Sequence, residues 1–152
     1  MIQLLYDGST LTTNQPRLNL KSYFTSSYDT TDGFLVNLKS QFTGKDLYFA
    51  PGLVAGTESM YNNRTITLVF FISNVLSVPA SSIIKMGTTD HPLGFYDFSI
   101  YLNSSAGNLD PTGLTLIYSS LANVRGADDH QSVDYSEYTT NDSDTESVYI
   151  TF

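Results

Sequence analysis

The chain has 152 residues, 41% of them hydrophobic and 14% charged, with 7 Lys and Arg against 15 Asp and Glu and neither Cys nor Trp. That length suits one domain whose core needs no disulfide, and no apolar run approaches the roughly 18 residues of a membrane span. A net charge of −8 argues against a general nucleic-acid binder, which needs a basic surface to displace counterions from phosphate, and 11 Tyr with 9 Phe argue against disorder.

The opening residues, Met1 to Tyr6, precede any basic residue and are followed by no long apolar segment, so no secretory signal is expected. The absence of Cys fits a reducing compartment, and equally a protein that works across compartments without redox sensitivity. Residues 1–30 are the least regular part. A mostly polar stretch from Ser9 to Gln15 precedes Leu18 and Leu20, and Ser, Thr, Tyr and Asp dominate onward to Thr31. Two expectations stand side by side for this segment. It is an edge strand with loops, or an extended N-terminal arm that adds as a strand to a neighbouring subunit.

From Phe34 onward, apolar residues alternate. Phe34, Val36 and Leu38 share a face, as do Ile66, Leu68, Phe70 and Ile72. Tyr96, Phe98, Ile100 and Leu102 repeat the pattern, followed by Leu114, Leu116 and Tyr118, and finally Val148, Ile150 and Phe152. Period-two alternation of β-forming residues predicts half-buried strands. Turn signals separate them: Asp32-Gly33, Thr43-Gly44, Pro51-Gly52, Ser105 to Asn108, and Asp110 to Gly113. The only helical candidate is Pro79 to Met86, one or two turns at most. The expected fold is all-β, a single antiparallel sandwich over residues 1–152 with at most one short helix. Core positions are expected at Ile66, Leu68, Phe70, Tyr96, Phe98, Ile100 and Leu116.

Gly94-Phe95-Tyr96-Asp97-Phe98 adds a local feature. In immunoglobulin-like sandwiches a Tyr stands two residues before an inward position of strand F, and its hydroxyl bonds backbone upstream. Tyr96 and Phe98 have that spacing, and Gly94 would supply the bend. An ordinary hairpin in another sandwich explains the same residues.

No constellation identifies a chemistry. His91 and His130 lie on expected loops without a nucleophile elbow, and no Cys can act as nucleophile. Their spacing does not suggest zinc. Asp142, Asp144 and Glu146 alternate in a way that can bind Ca²⁺, but the sixth-position Gly and twelfth-position Glu of an EF-hand are missing. No cofactor and no catalytic residue is expected. Asn-X-Ser/Thr triplets at Asn63, Asn103 and Asn141 are what chance gives in so Ser/Thr-rich a chain. Val69, Phe71 and Tyr101 fall out of phase with the inward sets, so the outer strand faces are apolar too. They are the candidate interface residues, covered by the chain's own loops or by another subunit. Acidity is concentrated near the end: residues 126–152 carry 7 acidic and no basic residues, a net of −7, which leaves −1 for the rest.

The segments Phe71 to Leu76, Gly94 to Tyr101, Leu109 to Gly113, Tyr138 to Asp142 and Glu146 to Phe152 resemble small structural proteins of tailed bacteriophages, notably marine ones. The resemblance covers roughly residues 65–152 and carries no catalytic motif. It implies a β-sandwich virion component, assembled in the host cytoplasm with other virion proteins and copies of itself, as a capsid decoration protein or a neck or tail component. The competing expectation is a carbohydrate-binding or adhesin-type module. Enzymatic activity, membrane association and nucleic-acid binding are not expected.

Overall fold

β-Branched and aromatic side chains favour extended backbone on a half-buried surface, and in the computed structural model they form ten strands among the described residues. The structure describes residues 1–8, 10–19, 33–53, 65–105 and 107–126. In chain order the strands are β1 (Ile2–Tyr6), β2 (Thr12–Asn14), β3 (Arg17–Asn19), β4 (Gly33–Ser40), β5 (Asp46–Phe49), β6 (Gly52–Leu53), β7 (Thr65–Ser73), β8 (Ile83–Lys85), β9 (Gly94–Asn103) and β10 (Thr115–Gly126).

One sheet has the order β1-β10-β9-β4-β5. The other is organised around β7, which pairs with β2 and β3, and also with β6 and β8. Thr12 stands opposite Ile72 and Arg17 opposite Thr67, so β2 and β3 keep one register along β7. Between them the Leu68 amide donates to the Pro16 carbonyl at 3.2 Å. Proline lacks an N–H, so it interrupts the strand without ending the alignment. β1 runs parallel to β10 and β8 parallel to β7, while the remaining pairs are antiparallel. Both sheets are therefore mixed.

The predicted inward sets Phe34/Val36/Leu38, Ile66/Leu68/Phe70/Ile72 and Tyr96/Phe98/Ile100 are buried in one cluster, and Leu102, the last member of the third set, packs against it half-buried. Phe49 of β5 meets Phe70 of β7 across the sheets, with ring centroids 4.9 Å apart. Alternation fails in β4, where Leu35 and Asn37 are buried as well, so this strand is covered on both faces.

Leu116 departs from its expected core position and is 48% exposed. A bulge between Leu116 and Tyr118 shifts the pairing with β9. Leu116 then lies beside outward-facing Tyr101, and Ile117 is buried in its place. An extra residue inverts strand phase, which a fixed period of two cannot anticipate. The expected short helix shrinks to a 3₁₀ turn at Pro79–Ser81. Ser82 turns left-handed at φ 63°, and Ile83–Lys85 then extends alongside β7. Residues 2–19, expected as an edge strand with loops or as an arm, supply β1 at the edge of one sheet and β2 and β3 in the other, with Leu4 and Leu18 in the core. Residues 20–30 of that segment, and the alternating set Val148, Ile150 and Phe152, lie outside the described residues.

β1 is tied across to the second sheet. The Asn14 side chain accepts from the Leu5 amide at 2.7 Å and donates to the Leu5 carbonyl at 2.9 Å. It therefore satisfies the Leu5 backbone groups that a further strand would otherwise pair.

Candidate functional site

The Tyr96 hydroxyl donates to the Pro92 carbonyl four residues upstream. Gly94 between them has φ 130°, where a side chain is disfavoured. Burial pushes the Tyr96 pKa up to about 12, and a hydrogen bond with Ser40 opposes that rise. This corner fixes the start of β9 against the loop before it.

That loop carries His91. The Gly87 and Thr88 amides both donate to the His91 carbonyl, at 2.9 and 3.2 Å, and the His91 amide donates to Thr88 Oγ1 at 3.0 Å. The His91 Nδ1 is buried and has no hydrogen-bond partner among the described residues. Burial lowers the His91 pKa, opposed by Asp90 and Asp46, while Lys45 lowers it further. His91 therefore shapes a closed turn. His130, Asp142, Asp144 and Glu146 lie outside the described residues. Among the described residues no group of three His, Cys, Asp or Glu side chains could hold a metal ion.

The candidate interface residues do not form one surface. Val69 and Phe71 lie on the outward face of β7, whereas Tyr101 lies on the outward face of β9 in the other sheet. All three are half-buried. Val69 is opposite Gly52 in β6, where an added Cβ would meet Val69 Cγ1 at 2.9 Å. Tyr101 stands in register with Leu35 and Leu116. One row along, Asn37 is 7% exposed and its Nδ2 donates to Asp46 Oδ1 at 2.9 Å. The Tyr48 pKa is raised by burial first, then by Asp46, Tyr101 and Asp110.

A different surface stands out once the strand ends are aligned. Tyr6 pairs with Gly126, Gly94 with Val124, Ser40 with Tyr96, Thr12 with Ile72 and Ser73 with Lys85. The loops 7–11, 41–45, 74–77 and 86–93 consequently meet at one end of the sandwich. Asn74 Nδ2 donates to the Gly8 carbonyl at 2.7 Å, and Thr43 Oγ1 donates to the Asp90 carbonyl at 2.6 Å. Gly87 packs on the Tyr6 ring.

Of the ten exposed large apolar side chains among the described residues, seven are at this end: Leu5, Leu11, Phe42, Val75, Leu76, Leu93 and Phe95. Gln41, Phe42, Pro92, Leu93, Gly94 and Phe95 line an open groove of about 490 Å³. Its walls are held by the Gln41 amide, donating to the Phe95 carbonyl at 3.0 Å, and by Gln41 Nε2, donating to Asp97 Oδ1 at 2.9 Å. Phe42 is 88% exposed at the tip of the β4–β5 turn, which closes through Gly44 at φ 71°.

Sequence reasoning missed this surface because alternation sorts only strand residues. The available signal was Phe42 itself, an aromatic directly before the Thr43-Gly44 turn signal, where a side chain cannot reach the core. Comparison with protein-family models, curated proteins and solved structures finds no match.

Proposed function

We propose that the chain is a non-enzymatic structural protein of a tailed-phage virion, on the capsid surface or in the neck or tail, joined to other virion proteins and to copies of itself. The gathering of exposed apolar side chains at one end supports assembly most strongly. Monomers rarely leave contiguous apolar surface in water, and an interface core of aromatic and aliphatic anchors is the usual reason for it. The phage context rests on the sequence resemblance. Mass spectrometry of purified particles is the test. The chain should be present at a fixed stoichiometry. Its absence, together with glycan binding by the isolated protein, would instead favour a carbohydrate-binding module.

We also infer an immunoglobulin-like arrangement. In support, β9 and β10 take the places of strands F and G, β4 and β5 those of C and C′, and β7 lies between β2/β3 and β6 as E lies between B and D. The Tyr96 hydroxyl reaches upstream backbone as that corner requires. The parallel strand β8 is an addition to the pattern.

A further inference from the structure

We propose that residues 87–91 form a clasp that opens in acid, with the His91 ring as its latch, and that opening releases the β4–β5 turn that carries Phe42. The two ends of the segment are fixed. Met86 is buried, and its amide donates to the Ser73 carbonyl at 3.3 Å. The Pro92 carbonyl accepts from the Tyr96 hydroxyl. Between these anchors three hydrogen bonds close the turn, and each has one partner in His91. The Gly87 and Thr88 amides donate to its carbonyl, and its own amide donates to Thr88 Oγ1. Gly87, at φ 74°, supplies the backbone freedom on which the segment turns.

The ring keeps its place only while neutral. Nδ1 is buried without a hydrogen-bond partner among the described residues, so the single proton of the neutral ring sits on Nε2. A second proton has to go to Nδ1, where no acceptor meets it, and a buried charged donor left unpaired is costly. The charged groups acting on the ring come from three places: Asp90 beside it in the turn, Asp46 in β5, and Lys45 just before β5. The two carboxylates favour the imidazolium, but burial is the larger influence and Lys45 adds to it. Asp46 is moreover engaged by Asn37 Nδ2 at 2.9 Å. The proton is therefore accommodated by moving the ring into water, and the ring takes with it the backbone that closes the turn.

The closed turn also holds its neighbour. Thr43 Oγ1 donates to the Asp90 carbonyl at 2.6 Å, which ties the β4–β5 turn to residues 87–91. Phe42 stands next to Thr43 with its side chain in solvent. Opening the clasp breaks that tie, so one proton on His91 changes the freedom of an exposed aromatic on a different loop. The coupling holds whatever the apolar end binds.

Amide and histidine-ring NMR of the isotope-labelled full chain between pH 8 and pH 5 is the test. His91 should titrate below the ordinary imidazole value of about 6.5. The amides of residues 87–91 and of Phe42 should shift with the same midpoint. Gly87 and Thr88 should lose exchange protection, corrected for intrinsic rates, while the Leu68 amide, held by the Pro16 carbonyl, keeps its own. His91→Gln retains the backbone hydrogen bonds and should keep the turn closed across the range. Thr43→Val should leave the acid-dependent shifts at 87–91 and abolish the one at Phe42. Equal acid-dependent shifts in His91→Gln overturn the clasp, as does a titrating His91 ring with no change at 87–91. Loss of Leu68 protection at the same midpoint would show global unfolding and overturns it too. A Phe42 shift that survives in Thr43→Val overturns the coupling.

Discussion

At the scale of single residues, Tyr96 holds the corner between the 86–93 loop and β9. Tyr96→Phe removes the donor and leaves the Pro92 carbonyl without its partner, so it should lower stability by about 1–3 kcal/mol in urea unfolding. Its titration gives a second readout. Unfolded Tyr96 loses its proton near pH 10, and the folded residue keeps it to about 12. The stabilisation is whole below pH 10 and drains away as pH rises toward 12, because the unfolded state binds fewer protons there. Tyr96→Phe should flatten that alkaline decline.

His91 has the opposite sense. Burial holds its folded pKa below 6.5, so the unfolded state takes up the proton first as pH falls. Stability should be whole above about pH 6.5 and decline through the folded value, and His91→Gln should remove that dependence. A dependence on acid that persists in His91→Gln would place the responsible group elsewhere.

At the scale of elements, the strands of longest alternation were legible because both of their ends lie in regular pairing. Ile66 to Ile72 and Tyr96 to Ile100 each keep one phase, and each packs into the shared core. β10 was legible as a strand but not in phase, since its bulge is a property of pairing with β9 and leaves no mark in the alternation. Ile83–Lys85 was read as helix because Pro79 and Gly87 bracket it as helix signals would. Parallel pairing with β7 overrides that local preference, and two successive Ile are good β-formers. β2 and β3 are three residues each, and Leu18 is their one apolar side chain. Their strand character comes from β7 alone, so no periodicity could reveal them.

The bulge gives a direct contrast. Phe98→Ala, at a fully buried site, should cost about 3–5 kcal/mol by cavity formation. Leu116→Ala should stay within about 0.5 kcal/mol. Equal losses in denaturant unfolding would mean that the register of β10 is different.

At the scale of the whole molecule, the N-terminal segment belongs to the sandwich. Deleting residues 1–19 removes β1, β2 and β3 together with Leu4 and Leu18. It should abolish cooperative unfolding rather than weaken assembly alone. The interface candidates chosen from sequence were apolar residues on two opposite outer faces. The apolar end was hidden from sequence because its members come from four loops and the ends of β1 and β9, brought together only by strand register.

The most direct measurement of assembly through this end is photocrosslinking inside assembled particles, with a benzophenone side chain placed at position 42 and, as control, at exposed position 116 on an outer sheet face. Position 42 should crosslink to a neighbouring virion protein, and position 116 should not capture the same segment. Particles that contain the chain yet give no crosslink from position 42, or give the same crosslink from both positions, would contradict it.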